Sequence, residues 1–305
     1  MAMTLSVQQV MQRIQDVIAG KVQAVPSPFP AFSRSFGGGF REGEVSILAG
    51  GPGSGKSHFV YQHLIHCYRK NIACAYMPLE DEKVDHVQRI TAHLLSDWKL
   101  LTADPDEMSI ASEKLSPDIL RDASEISHSV EDNFAFKVDA NNKLFQVDSE
   151  FALKWVLKKG GEGCRLIIID PVSNITFAKQ YKKEHDVQRE FMQELIARVK
   201  TIPSHVVLVC HLGKGEQGSA GNVAGSAAFT RNAHNDLRIM HHQTTNSRIA
   251  SGMHEGNEMH NRTMYVAKAR NGLPHTSIAF DVGNNNPSMR EVGVIIPESK
   301  PNGRR

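Results

Sequence analysis

The sequence predicts an α/β protein in which a doubly wound, mostly parallel sheet gains antiparallel strands toward its C-terminal end. Residues 165–170 and 205–211 are almost continuously apolar, which indicates strands buried on both faces, as in the centre of a parallel sheet. These runs alternate with segments of helical periodicity, such as 186–200. From residue 236 onward the pattern changes, and strand-like segments follow at 237–241, 263–268, 277–282 and 290–296. The polar stretch 243–262, rich in glycine and asparagine, is expected to form an exposed loop between the first two.

Composition sets limits on the class of protein. The chain has 305 residues, 40% of them hydrophobic and 22% charged, which is typical of a packed globular core. A net charge of +2 is too small to indicate nucleic-acid binding, so any such contact must be local. Four well-separated cysteines without a C-x-x-C pair favour reduced thiols in a cytoplasmic setting. We find no signal-peptide core and no run that reaches a membrane span, so no membrane partner is expected.

The first 35 residues read as an arm that precedes the core. Residues 4–19 have apolar side chains at helical spacing, and Gly20 can end that helix. The prolines within 26–30 exclude a helix there and predict an extended connector. The helix could fold back on its own core or dock on a neighbouring subunit, and the sequence leaves both possibilities open.

Residues 36–296 are predicted to form the core, and 297–305 a disordered basic tail. Within the core, further strands are expected at 44–49, 72–77 and 134–138. Asp148 is expected to cap a helix. The more polar segment 96–133 is expected to form peripheral helices and loops.

A glycine-rich loop stands between the first predicted strand and a predicted helix. It satisfies the phosphate-loop pattern G-x-x-x-x-G-K-[ST] with the residues Gly50, Gly51, Pro52, Gly53, Ser54, Gly55, Lys56 and Ser57. Glycines allow backbone N–H groups to close around phosphate oxygens, and the helix start adds partial positive charge. Lys56 is expected to reach the β- and γ-phosphates of ATP, and Ser57 to bind Mg²⁺. The alternative is a glycine-rich turn with a capping serine.

Two acidic residues end predicted strands at the edge of the sheet where the phosphate loop lies. Asp170 ends the most apolar strand and is expected to hold Mg²⁺ through water. Glu80 follows the second strand and is a candidate base for an attacking water. The alternative for Glu80 is an ordinary acid at a helix N-terminus, as expected for Asp81 and Glu82.

Three further polar residues follow later strands. His211 could sense the γ-phosphate, or it could be a half-buried, hydrogen-bonded histidine. Lys268 and Arg270 are expected to point the same way from the end of a late strand. They could act on a neighbour's nucleotide as arginine fingers, or they could form a solvated turn before Gly272.

Five segments between residues 36 and 282 resemble, in order, the RecA-fold core of DnaB-type hexameric helicases, and most closely the RepA-like plasmid and phage replicative ATPases. They read GGGFREGEVSILAGGPGSGKS, MPLEDEKVDHVQRI, RLIIIDPVSNI, VVLVCHLGKGEQGSAGNVAGSAAFTRNA and YVAKARNGLP. The resemblance implies that Glu80 is the catalytic glutamate, that Asp170 is the Walker B acid and that His211 is a sensor. It also implies that Lys268 and Arg270 reach across a subunit interface.

The resemblance further implies contacts to single-stranded DNA. Residues 213–228 resemble the loop that lines the central channel, with Lys214, Gly225 and Ser226 as candidate contacts. The other candidate is 177–185, with Lys179, Lys182 and Lys183, although a charge run can be only a solvated face. DnaB-type helicases usually carry a separate N-terminal domain, so the helix at 4–19 becomes the main candidate for subunit linkage.

Three functions remain open at this point. The first is an ATP-dependent replicative helicase or translocase that acts as a homohexameric ring, with replication-initiation or primase partners. The second is a RecA-like recombinase or recombination mediator that forms filaments. The third is a regulatory protein that uses nucleotide as an assembly switch, and it predicts nucleotide binding without turnover.

Overall fold

A computed structural model of the chain describes residues 5–19, 24–134, 145–177, 182–212, 227–283 and 286–297. Its centre is one sheet of eight strands in the order β2-β3-β4-β1-β5-β6-β7-β8. The strands are β1 (Val45–Gly50), β2 (Cys74–Pro78), β3 (Leu166–Asp170), β4 (His205–His211), β5 (Asn235–Ser251), β6 (His254–Lys268), β7 (Thr276–Val282) and β8 (Met289–Ile295).

The described part of the chain also contains helices, which differ in how far they pack on the sheet. They are α1 (Leu5–Ile18), α2 (Pro30–Ser35), α3 (Lys56–Arg69), α4 (Lys83–Leu95), α5 (Pro105–Ser112), α6 (Pro117–Ser127), α7 (Ser149–Gly161), α8 (Glu184–Val199) and α9 (Ala227–Asn232). One buried apolar cluster joins α2 and α3 to the sheet, and a second joins α7, α8 and α9 to its other face. The predicted α/β architecture is therefore confirmed.

Parallel pairing sets the edge at which strand ends meet. β1 pairs in parallel with β4 and β5, and β3 pairs in parallel with β2 and β4. The registers place Gly50 opposite His211 and Pro78 opposite Asp170. The phosphate loop and the ends of β2, β3 and β4 consequently share one edge of the sheet.

The antiparallel half contains a hairpin that the sequence did not predict. Residues 243–262, expected as an exposed polar loop, continue β5 and β6 in a ladder that runs from Thr245↔His260 to Ser251↔His254. The far end of β5 then pairs with β8 at Ala250↔Val294, so the four antiparallel strands close on themselves. Gly293, with φ +149°, allows this closure, because a Cβ there would stand 2.5 Å from the Ala250 carbonyl oxygen.

The proline-containing connector packs into the core. Phe29 and Phe32 are buried, and each ring lies 5.4 Å from the ring of Phe59 on α3. Pro30 begins α2, a position where proline is favoured because its missing N–H would have no helical partner. Aromatic burial therefore fixes the arm to the domain from residue 25 onward.

Segment 96–133 forms helices α5 and α6 and a 3₁₀ turn on the periphery, as predicted. The expected strand at 134–138 lies almost wholly outside the described residues, as does the tail beyond 297. Helix α7 begins after Asp148, whose side chain accepts a hydrogen bond from the N–H of Phe151 as expected of a cap. None of the helices in the described ranges has the length and apolar character needed to cross a bilayer.

Candidate functional site

The phosphate loop joins β1 to α3 in the strand–loop–helix arrangement that the motif requires. Gly55 adopts φ +109° immediately before Lys56, the first residue of α3. Gly50 has no room for a side chain, since a Cβ there would lie 2.4 Å from the Ser54 Oγ and 2.7 Å from the Ile239 carbonyl oxygen. These two glycines are needed for the close turn.

Lys56 is directed into the loop. Its Nζ donates hydrogen bonds to the carbonyl oxygens of Gly50 at 2.9 Å and Gly51 at 3.0 Å. Only 8% of the residue is exposed, and this burial lowers the pKa of Lys56, while the nearby carboxylates of Asp170 and Glu80 act in the opposite direction. The ammonium group is thus held at the loop, and no carboxylate among the described residues forms an ion pair with it.

The loop residues fit a nucleotide polyphosphate with Mg²⁺. The Ser54 Oγ is buried without a hydrogen-bond partner among the described residues, and an anionic oxygen would satisfy it. Ser57 is exposed in the first turn of α3, where a hydroxyl can reach a metal bound to phosphate. The oxygens of Ser57 and Asp170 are hard ligands of the kind that Mg²⁺ prefers.

Asp170 ends β3 next to the loop. Burial raises its pKa to about 6, while the Tyr76 hydroxyl and the charge of Lys56 act to lower it. The Tyr76 hydroxyl donates to Oδ2 of Asp170 at 3.0 Å. The chain beyond β2 is tied to the same place, because the N–H of Leu79 donates to the Asp170 carbonyl oxygen at 2.7 Å.

Glu80 and His211 face each other at the mouth of the site. The distance from His211 Nε2 to Glu80 Oε2 is 3.9 Å, and their side chains are 34% and 61% exposed. Burial, followed by the charge of Lys56, lowers the pKa of His211, so its imidazole is neutral near pH 7. Asn174 supports this corner by donating to the Leu79 carbonyl oxygen at 2.7 Å.

The structure thus brings together the residues that the sequence places at the ends of β1 to β4: Lys56, Ser57, Glu80, Asp170 and His211. The carboxylate of Asp170 is half-buried beside the loop, and that of Glu80 is open to solvent. Such an arrangement can bind a polyphosphate, hold a metal and activate a water.

The two basic residues Lys268 and Arg270 lie where β6 ends. The strand ends at Lys268, so strand alternation does not align it with Arg270. Lys268 Nζ donates to the carbonyl oxygens of Ala233 at 2.5 Å and Arg231 at 3.3 Å in the same chain. Arg270 is exposed, and its backbone N–H donates to the side chain of Asn235.

Only part of the predicted DNA-contacting set is described. Lys182 pairs with Glu190 on α8 at 2.5 Å, and Lys183 lies immediately before that helix. Lys179, Lys214, Gly225 and Ser226 lie outside the described residues.

Sequence reasoning missed two residues at the site. Tyr76 lies within an apolar strand and carries no motif, so no sequence signal pointed to it. Arg262 donates to the Gly53 carbonyl oxygen at 3.4 Å from β6, in a stretch expected to be a loop. Only the strand pairing could have brought Arg262 to the phosphate loop.

Comparisons with known proteins agree with this geometry. A family model described as an AAA domain matches residues 11–217. A DNA helicase/primase of Enterobacteria phage T3 is 24% identical over 193 residues, which are 63% of this chain and 32% of the phage protein. This chain therefore spans about a third of that relative's length.

Two solved structures share the fold. One, described as an ATPase domain, superposes with a TM-score of 0.68 at 13% identity, covering 94% of this chain and 99% of that one. A DnaB-like replicative helicase, solved in a study of its interactions with primase, superposes with a TM-score of 0.66 at 12% identity, covering 95% and 67%. The fold is therefore that of DnaB-like helicase ATPase domains.

Proposed function

The chain belongs to the AAA-domain family, and from that premise we propose that it is an ATP-driven motor that moves along single-stranded DNA as a ring and unwinds DNA in replication. The observation that carries this proposal is the meeting of Lys56, Asp170, Glu80 and His211 at one edge of the parallel sheet. The alternatives of a filament-forming recombinase and of a nucleotide-operated switch remain as outcomes of the tests.

In this proposal the loop N–H groups and Lys56 hold the β- and γ-phosphates of ATP, and Ser57 and Asp170 hold Mg²⁺. Bound Mg²⁺ neutralises charge on the phosphate oxygens. Glu80 orients the attacking water and accepts its proton, a role that suits a carboxylate at the open mouth of the site. His211, close to both Lys56 and Glu80, responds to the γ-phosphate and passes its presence to the segment after β4.

The ring completes the site. Arg270 is exposed on the rim of the antiparallel half, where a neighbouring subunit's nucleotide can approach it. We propose Arg270 as the main residue that acts in trans and Lys268 as the second. The reason is that the Nζ of Lys268 already donates to two carbonyl groups of its own chain. A homohexamer is the assembly that we propose.

Helix α1 supports the assembly. Its apolar side chains are between 44% and 81% exposed: Val7, Val10, Met11, Ile14, Val17 and Ile18. A stripe of this kind lowers the free energy of the chain when it is covered. Of the two possibilities that the sequence left open, we propose that α1 docks on a neighbouring subunit, because its stripe is exposed in the monomer.

DNA passes through the ring in this proposal. The proposed contacts are made by the segments around 177–185 and 213–228, with Lys179, Lys182, Lys183, Lys214, Gly225 and Ser226. The T3 relative is named a helicase/primase and the DnaB-like structure was solved in a study of primase interactions, which favours a replication-initiation or primase partner. A reducing, cytoplasmic setting fits the four cysteines, all of which are buried free thiols.

The test compares wild type with Lys56→Ala and with Lys70→Ala, a matched change at the exposed far end of the same helix. ATP turnover is measured with and without single-stranded DNA, and strand displacement on a forked duplex. We expect DNA-stimulated turnover and displacement for wild type and Lys70→Ala, and neither for Lys56→Ala. Nucleotide binding by wild type without any hydrolysis would instead support the switch, and filaments instead of rings would support the recombinase.

A further inference from the structure

A buried tyrosine hydroxyl contacts the acid that we assign to Mg²⁺. Tyr76 is 1% exposed, and its hydroxyl donates to Oδ2 of Asp170 at 3.0 Å. Tyr76 pairs with Ile168, two residues before Asp170, so the two side chains leave the same face of the sheet. The hydroxyl occupies Oδ2, and no described side chain donates a hydrogen bond to Oδ1 of the carboxylate.

The tyrosine is held by hydrogen bonds along both edges of its strand. On one edge β2 pairs with β3. On the other edge, the N–H of Tyr76 donates to the Ser129 carbonyl oxygen at 2.7 Å, and its carbonyl oxygen accepts from the N–H of Glu131 at 2.9 Å. The segment after α6 thus pairs with what would otherwise be an open sheet edge, and it fixes the backbone that carries Tyr76.

Helix α4 contacts the Tyr76 side chain through His86. His86 Nδ1 lies 2.9 Å from the Tyr61 hydroxyl and 3.4 Å from the Tyr76 hydroxyl, and the three side chains are buried. One turn further along α4, Arg89 forms an ion pair with Asp81, the residue that follows Glu80. Helix α4 therefore contacts both Tyr76, which binds Asp170, and Asp81, which follows Glu80.

We propose that Tyr76 is a positioning residue, which orients the Asp170 carboxylate for the magnesium–nucleotide complex through a network that includes His86. This inference rests on the proposed function, since it needs Asp170 to act on Mg²⁺. Partners that orient a metal-binding carboxylate typically change metal affinity by about 10- to 100-fold when removed.

The test uses Tyr76→Phe, which removes one oxygen and keeps the ring. The readout is binding of a fluorescent ATP analogue, titrated with Mg²⁺ and repeated in excess EDTA. We expect the Mg²⁺ concentration for half-maximal binding to rise about ten-fold, with affinity in EDTA unchanged. Tyr68→Phe is the matched control, because its hydroxyl donates to a different carboxylate, that of Asp122, at 3.0 Å.

A double-substitution cycle separates positioning from a packing role. If Tyr76 acts through Asp170, adding Tyr76→Phe to Asp170→Asn should leave the Mg²⁺ response of the single Asp170→Asn variant unchanged. An unaltered Mg²⁺ response in the correctly folded Tyr76→Phe variant would overturn the inference alone. A wild-type protein whose nucleotide binding ignores Mg²⁺ would overturn the proposed function together with it.

Discussion

The Nε2 atom of His211 lies 3.9 Å from the Oε2 atom of Glu80 at the mouth of the phosphate loop. Because burial lowers the pKa of His211, the imidazole is neutral near pH 7 and exerts no full ionic attraction on the carboxylate. Glu80 is therefore not held by a strong ion pair, as its proposed role at the attacking water requires. We propose that His211 responds to the position of Glu80 through this contact.

Replacing Glu80 with glutamine should abolish turnover while nucleotide binding persists. The amide keeps the size of the side chain but cannot accept the proton of the attacking water, and general-base removal typically lowers the rate by roughly 10²- to 10⁴-fold. Steady-state hydrolysis and equilibrium binding of labelled ATP measure the two effects. Glu82→Gln, at the N-cap of α4, is the control. Full turnover by Glu80→Gln would assign the base to another residue.

Arg270 should act on the nucleotide of the neighbouring subunit. Arg270→Ala is expected to lower turnover by roughly 10³-fold, because removing a trans-acting arginine exposes the developing charge on the γ-phosphate. Mixing Arg270→Ala with Lys56→Ala subunits should restore part of the activity, since each mixed interface can pair an intact loop with an intact arginine. Mixtures that stay as inactive as their parents would contradict action in trans.

The apolar stripe of α1 should be required for assembly. Val10→Asp with Ile14→Asp introduces two charges into the exposed stripe and is expected to convert rings into smaller species at the same protein concentration. Leu120→Asp, at a similarly exposed apolar position on α6, is the control. Light scattering coupled to size exclusion gives the mass, and rings that persist in the double variant would remove α1 from the interface.

Buried histidines should make the fold sensitive to mild acid. Burial lowers the pKa of His63 to about 3 and that of His205 to about 4, against roughly 6.5 in an unfolded chain. Between the folded and unfolded pKa values, each histidine binds a proton in the unfolded chain but not in the folded chain. The free energy of unfolding therefore has its full value above about pH 6.5. It falls as the pH falls below that value, by about 1.4 kcal/mol per pH unit for each histidine. Asp170 has the opposite effect, because its pKa is raised to about 6 and the folded chain therefore binds one more proton there as the pH falls below that value. This offsets the loss of stability due to one histidine.

Urea unfolding near pH 7 and near pH 5 measures this dependence. His63→Gln should reduce the slope of the unfolding free energy against pH by the contribution of one proton, because glutamine does not titrate. The exposed His254, the first residue of β6, provides the control substitution, His254→Gln. An unaltered slope in His63→Gln would mean that His63 does not carry the linkage.

The sequence was sufficient wherever one local pattern fixes the structure. The loop from Gly50 to Ser57, the buried strand ending at Asp170 and the cap at Asp148 each depend on neighbouring residues, and each was placed correctly. Parallel pairing then brings Glu80 and His211 to the loop, because strands of this type end at the same edge.

The remaining features depend on contacts between distant segments. The β5–β6 hairpin is polar and rich in glycine and asparagine, yet backbone pairing and closure onto β8 hold it as a ribbon. Phe29 joins the core because it meets Phe59 and Phe280, which no local pattern reveals. Tyr76 and Arg262 reach the site only through strand pairing, so their roles could not be read from their neighbours in sequence.

The most direct test of the central claim is the rate of ATP hydrolysis per subunit, measured against protein concentration with and without single-stranded DNA, on samples sized by light scattering. We predict a low rate in the dilute, dissociated protein, a rise as rings assemble, and a further rise on adding DNA. A monomer that hydrolyses ATP at its full rate, unchanged by assembly or by DNA, would contradict the account.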